Sequence, residues 1–251
     1  VCYQLAAPFQ DRALGPLRLQ TEGLSHCGDC YGYSRRKSRA FRVGPFMLGG
    51  SQLVRVVTPV PSSMTASQIL ETLEKQLKGA QGADLEIIEW TIGSDEELES
   101  LKEVRKALRA ETSRLAFLGL FDGPEELTAA GLEYVDAVLT YDEPSERLLD
   151  LICKRGVALF VEASNAESAL RANARAREKG LLTVLSLRGR ETTALIQEYR
   201  LLAARADESP IHIRVPRAKD KQGQILNAAI LIGSLLCDGV GDLVQIEGDC
   251  E

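Results

Sequence analysis

Two histidines, a single tryptophan and no glycine-rich phosphate loop leave this chain of 251 residues poorly equipped for several common chemistries. After Thr58 the sequence runs PVPSSMT, so the tight glycine turn of a dinucleotide-binding βαβ unit is absent. No nucleophile is paired with a base in a recognisable pattern. No stretch approaches the roughly 20 apolar residues needed to cross a bilayer. The longest candidate, Ile225–Leu236, is short, contains Asn227 and reads as a buried helix. Basic charge is also in deficit: 36 acidic residues face 30 lysines and arginines, a net charge of −6. That balance excludes nucleic acid as the expected partner, which would call for a basic stripe. The one basic cluster, Arg35-Arg36-Lys37-Ser38-Arg39 with Arg42 close by, reads as a solvated linker or a docking arm.

Six cysteines are present, but a chain this long with an apolar fraction of 45% has core enough to fold without a disulfide framework. Cys153 and Cys237 fall in apolar helical runs and read as buried thiols. Cys27 and Cys30 form a CxxC preceded by His26. Such a pair holds two corners of a metal site or acts as a redox couple. A second CxxC is missing, so the readings stay open: a disulfide or free thiols, a zinc site completed by Cys2 and His26, or a metal shared with a partner. The chain begins at Val1 and not at methionine, as expected after removal of an organelle transit peptide, and equally of a shortened chain.

What is there is a regular alternation. Residues 1–50 lack any period and are broken by glycine and proline, which suggests an arm lying over the surface or onto a partner, with a short hairpin across Phe41–Leu48. From residue 51 onward, β-branched apolar runs at Leu53–Thr58, Leu85–Ile92, Leu115–Phe121, Val135–Tyr141, Val157–Ala163, Leu181–Leu187, Ile211–Val215 and Leu243–Glu247 alternate with seven helical patterns. Thr65 or Ser67, Asp95, Asp142 and Asn165 are the expected N-caps, and Gly79, Gly131, Gly156 and Gly180 the expected helix stops. The prediction is a (β/α)₈ TIM-barrel-like α/β fold over 51–251 with the final helix missing, preceded by an irregular arm over 1–50.

Barrel enzymes work from the C-terminal ends of their strands. Those ends offer Asp142, Glu143 and Glu162 as an acidic group, and Arg188, Arg190 and Arg217 as an anion clamp suited to phosphate. Helix caps and exposed loop charges account for the same residues. His212, inside IHIRV, reads as a packed strand residue and not as a general base.

One stretch resembles a known family. LLTVLSLRGRE, with Ser186, Leu187, Arg188, Gly189 and Glu191, is followed by IHIRVP at Ile211–Pro216 and by Gly233, Leu235, Leu236, Asp238, Gly239, Gly241 and Asp242 in IGSLLCDGVGDLVQIE. Together these resemble the segment closing the central inserted barrel of the three-domain 4-hydroxy-3-methylbut-2-enyl diphosphate synthases of isoprenoid biosynthesis. In that family a catalytic barrel binds a cyclic diphosphate and a C-terminal domain carries a [4Fe–4S] cluster, while the central barrel is understood as structural. The resemblance therefore implies a non-catalytic barrel, a pseudoenzyme acting as scaffold or auxiliary subunit of a plastid assembly through its arm. It implies no cofactor of its own, and a [4Fe–4S] cluster only if a further domain follows. The alternatives are part of an active synthase, an iron–sulfur oxidoreductase, or an independent barrel enzyme acting on a phosphorylated small molecule. TEGLSHCGDC at Thr21–Cys30 has a likeness to the family's cluster motif, but it precedes the barrel and lacks the remaining ligands. No catalytic residue is carried over.

Overall fold

The computed structural model describes residues 33–61, 64–78, 85–108, 114–122 and 125–248. Cys2, His26, Cys27, Cys30, Gly79 and Cys250 lie outside them, and with them the CxxC reading and most of the arm. A hairpin of β1 (Phe41–Val43) and β2 (Phe46–Leu48) comes first. Eight parallel strands then close a barrel: β3 (Arg55–Pro59), β4 (Ile87–Ile92), β5 (Ala116–Phe121), β6 (Ala137–Tyr141), β7 (Ala158–Ala163), β8 (Thr183–Leu187), β9 (Ile211–Val215) and β10 (Leu243–Ile246). The helices between them are α1 (Ala66–Lys78), α2 (Asp95–Ala107), α3 (Glu125–Gly131), α4 (Glu146–Arg155), α5 (Ala166–Glu178), α6 (Thr192–Arg205) and α7 (Lys221–Cys237). The barrel fold and the hairpin are as the sequence pattern predicts.

The strands read as continuous apolar runs because both faces are covered. Ile88, Phe117, Val138, Leu159, Val161, Leu185 and Ile213 face the helices, while Val57, Ile87, Leu118, Leu139, Phe160, Val184 and Leu243 fill the barrel. The hairpin stoppers the bottom of that interior. Val43 and Leu48 are buried among Ile87, Ala116, Ala137 and Leu243, and three strands begin with alanine there, at Ala116, Ala137 and Ala158. Small side chains at the base leave room for the plug.

Closure between β10 and β3 depends on the turn after α7. Asp242, almost wholly buried, accepts the backbone N–H of Ile211 (2.9 Å), Nη2 of Arg35 (2.9 Å) and the hydroxyl of Ser38 (2.7 Å). Its own N–H reaches the Ile211 carbonyl (2.8 Å), and its carbonyl receives the Arg55 N–H (3.0 Å). One residue thus joins four parts of the structure: its carboxylate holds β9 and the incoming chain, and its backbone, at the entry to β10, bonds β9 and β3. Gly239 takes φ 75°, and a Cβ there would run into the Ser34 carbonyl oxygen.

Several expectations are corrected. The basic cluster is no solvated linker: Arg35 binds Asp242, and Arg36 donates to the carbonyls of Ala203 and Ser209 (both 2.9 Å). The described end of the arm therefore docks on its own barrel. Ser94 and Ser145, not Asp95 and Asp142, cap α2 and α4, because only their hydroxyls reach the free N–H groups of Glu97 and Leu148. Thr65, Asn165, Gly156 and Gly180 act as expected. Gly131 is the last residue of α3, where the Phe121 ring occupies the space of a side chain. Cys153 and Cys237 are exposed, since Leu149, Ile152, Leu231 and Leu235 take the inward faces of α4 and α7. Nor is Ile225–Leu236 buried throughout: Ile225 and Leu226 are 62% and 59% exposed. Seven helices among the described residues serve eight strands, which leaves Val56, the β10–β3 partner of Val244, 45% exposed.

Gly180 and Gly239 share φ 75°, but nothing lies within 4 Å of a Cβ at Gly180. Gly180→Ala should therefore lose only the left-handed backbone term, about 1 kcal/mol. Gly239→Ala must also displace the Ser34 strap and should lose about 3 kcal/mol or more. Urea unfolding of both variants checks this, and equal losses would contradict the strap's role.

Candidate functional site

Inward-facing positions on β9 alternate as His212 and Arg214, and both are buried. Arg214 is held first through its backbone. Tyr199, fully buried on α6, accepts the N–H groups of Leu187 (3.0 Å) and Arg214 (3.1 Å) and lies 3.0 Å from the His212 carbonyl. Burial pushes the Tyr199 phenol well above its ordinary range, so it keeps its proton. Its hydroxyl pins the upper ends of β8 and β9 together and aims Arg214 across the barrel.

A guanidinium only 5% exposed requires partners. Glu89 on β4 supplies a two-pronged pair, 2.7 Å from Nη1 and 3.1 Å from Nη2. Glu247, just past β10, accepts from Nε at 3.1 Å. Glu162 on β7 meets Nη1 at 3.5 Å. Burial works against the Arg214 charge, but Glu89, Glu162 and Glu247 outweigh it and hold its pKa above normal.

Above this group a cavity of about 250 Å³ opens at the C-terminal end of the strands, walled by Tyr141, Glu162, Arg188, Arg214, Pro216 and Glu247 among others. Glu162 is 3% exposed. Burial, opposed by Arg214 and reinforced by the charges of Glu247 and Glu89, raises its pKa to about 7. Burial and the nearby Glu162 charge raise Tyr141 as well. Asp142 takes φ 50°, a region that aspartate tolerates better than most residues. This turns its carboxylate toward the Ser164 N–H (3.1 Å) and the Arg188 guanidinium. Arg188 in turn lies 5.0 Å from the centroid of the Tyr141 ring. Lower in the barrel, His212 has neither nitrogen paired among the described residues, and burial together with the Arg214 charge keeps it neutral.

Of the expected acidic group, Asp142 and Glu162 reach this mouth, whereas Glu143 turns outward to Arg171 (2.9 Å) and Arg175 (3.3 Å) on α5. Of the expected anion clamp, Arg188 lines the cavity. Arg190 and Arg217 are exposed on the following loops, Arg217 running beside Gly248. Among the described residues no three or more histidine, cysteine or acidic side chains are placed to hold a metal ion. Sequence reasoning missed Glu89, Arg214 and Glu247. The available signal was a charge at inward parity inside otherwise apolar strands, in LEIIEWTI and IHIRV.

A raised carboxyl pKa makes the folded state hold a proton that the unfolded chain releases, so stability falls as pH rises from about 4.5 through 7. Between about pH 5 and about pH 8 the native protein should lose about 2 to 3 kcal/mol more stability than Glu162→Gln, as read by urea unfolding. Parallel pH profiles would contradict the burial of an ionisable Glu162.

No protein-family model matches the chain. Curated relatives do. The 4-hydroxy-3-methylbut-2-en-1-yl diphosphate synthase (flavodoxin) of Leptospira interrogans is 26% identical over 266 residues, covering 86% of this chain and 40% of that protein. The enzyme of the same name from Chlorobaculum tepidum is 24% identical, covering 86% of this chain and 35% of that protein. The chain thus spans well under half the length of these relatives. Among solved structures, the Thermotoga maritima phospho-2-dehydro-3-deoxyheptonate aldolase superposes with a TM-score of 0.61 at 13% identity over 83% of this chain and 63% of that chain. Dihydropteroate synthase from Thermus thermophilus gives 0.59 at 16% identity, over 82% and 92% respectively. These two likenesses concern the fold alone. The sequence relatives go further: this chain, a TIM barrel, is homologous over 86% of its length to part of the 4-hydroxy-3-methylbut-2-en-1-yl diphosphate synthases.

Proposed function

We propose that this barrel is a non-catalytic counterpart of the central inserted domain of the three-domain synthases, acting as a scaffold or auxiliary subunit of a larger protein assembly. The observation that carries this reading is the state of Arg214. A diphosphate at the mouth of a barrel needs cations free to pair with it, yet Glu89 and Glu247 already hold the guanidinium at the centre of this mouth, and Arg188 is bound by Asp142. The Asp238–Asp242 turn, the most family-like stretch of the sequence, lies at the opposite end of the barrel, where Asp242 joins strands. The plastid setting rests on the family resemblance alone; the matching relatives named above are bacterial proteins.

A second reading is favoured by the small share of the relatives that the chain covers. In it the barrel works as one domain of a longer, active synthase, and an iron–sulfur cluster belongs to another domain. The third, an independent enzyme clamping a phosphorylated molecule with Arg188, Arg190 and Arg217, draws support from their common position at strand ends and is weakened by the Asp142–Arg188 pair.

Native mass spectrometry of the protein from its source separates the first two. A chain near 27.4 kDa inside a larger complex, free of iron and sulfide, is expected; a polypeptide of more than twice that mass carrying both would establish the second. For the mouth, millimolar inorganic pyrophosphate should leave the melting temperature unchanged. A rise of several degrees that is lost in Arg188→Gln would overturn the non-catalytic reading in favour of the third.

A further inference from the structure

We propose that the barrel mouth binds a small organic amine, with the ammonium group directed at Glu162 and the carbon skeleton lying against Tyr141 and Pro216. The cavity and its unbalanced hydrogen-bond demand carry this inference, which holds whether the barrel is a scaffold or a domain of an active enzyme. Six charged groups surround the mouth: Asp142 from the β6 end, Glu162 on β7, Arg188 after β8, Arg214 on β9, Glu247 after β10 and Glu89 on β4. Both guanidiniums are engaged, Arg188 with Asp142 and Arg214 with Glu89 and Glu247. The carboxylate left over is Glu162. It is more than nine-tenths buried and lines the cavity, and it has Arg214 only at 3.5 Å, beyond a good charge-assisted hydrogen bond.

What Glu162 lacks among the described residues, therefore, is a cation within close hydrogen-bond distance. An ammonium group supplies the donors and the positive charge that Glu162 needs, whereas an anion meets four carboxylates and no free cation among these groups. The volume limits the class further. About 250 Å³ lies below the roughly 300–1,000 Å³ of typical ligand pockets, so the occupant is smaller than a nucleotide. Tyr141, half exposed at the rim, and Pro216 offer the apolar surface for its skeleton.

Binding of a cation to Glu162 displaces its proton, so affinity is linked to pH. With the carboxyl titrating at about 7, the amine should bind about tenfold more tightly at about pH 8 than at about pH 6. The probe is benzylamine, titrated into the whole chain by calorimetry and by ¹⁵N chemical-shift mapping, with benzoate as the isosteric anion. Saturable benzylamine binding at the mouth is expected, with this pH dependence. Glu162→Gln, which keeps shape and removes charge, should weaken binding at least tenfold at the higher pH and flatten the profile. Lys75→Gln, on α1 and outside the cavity lining, should leave it unchanged. No benzylamine binding by the folded protein at the higher pH would overturn the proposal. So would equal binding of benzoate, or an unaltered profile in Glu162→Gln. Pyrophosphate protection with no amine binding would refute this inference together with the non-catalytic reading, whereas amine binding in a chain that proves to be part of an active synthase would leave this inference standing.

Discussion

A guanidinium buried inside a barrel must be paired, and much of the upper half of this molecule follows from that requirement. Arg214 points across the interior from β9 to Glu89 on β4, a partner 125 residues away, because the low-dielectric interior leaves a lone charge no alternative. Tyr199 fixes the backbone from which it projects, and Glu247 takes the donor that Glu89 leaves. The carboxylates that neutralise Arg214 also crowd Glu162, and that crowding, added to burial, pushes its proton affinity up. Structure and electrostatics at the mouth are thus one arrangement. Arg214 is paired with carboxylates from β4 and from the end of β10 and so holds strands together.

At the other end a carboxylate plays the complementary part. Asp242 accepts three donors from two parts of the chain, the incoming arm and the start of β9, and Gly239, three residues earlier, lets Ser34 and Arg36 pass at close range. The stretch of sequence that most resembles the synthases therefore performs a folding task in this protein. Relatedness by descent is written in the closure of the barrel, and a closure motif carries no chemistry with it.

The barrel was legible because its strands are buried on both faces and its helices start and stop at recognisable residues. Ile211–Val215 is the clearest case, its predicted and observed limits coinciding. Caps were read less well: Asp95 for Ser94, since acidic residues gather in first turns whichever side chain reaches the free N–H, and Asp142 for Ser145, although the Asp142 carboxylate is taken up by the Ser164 N–H and Arg188. The exposure of Ile225 and Leu226 escaped the reading because apolar composition does not say whether a neighbouring helix is present to cover a face. The site was the least legible. Glu89 and Arg214 each look like an interruption in an apolar run, and only the closed topology brings them together. Asp142 and Glu162 were flagged by their strand-end positions, but nothing local distinguishes Glu162, which lines the mouth, from Glu143, which pairs with α5.

The most direct test of the central claim is a double-mutant cycle on the Glu89–Arg214 pair. Arg214→Met and Glu89→Leu should each destabilise the protein by about 3 to 5 kcal/mol, because the first leaves the Glu89 and Glu162 carboxylates buried without their cation and the second takes from the guanidinium its two-pronged acceptor. The double variant should be at least as stable as either single one, with a large favourable coupling energy. If the two losses simply add, the pair does not organise the mouth, and the account of a barrel whose cation is consumed by its own carboxylates is wrong.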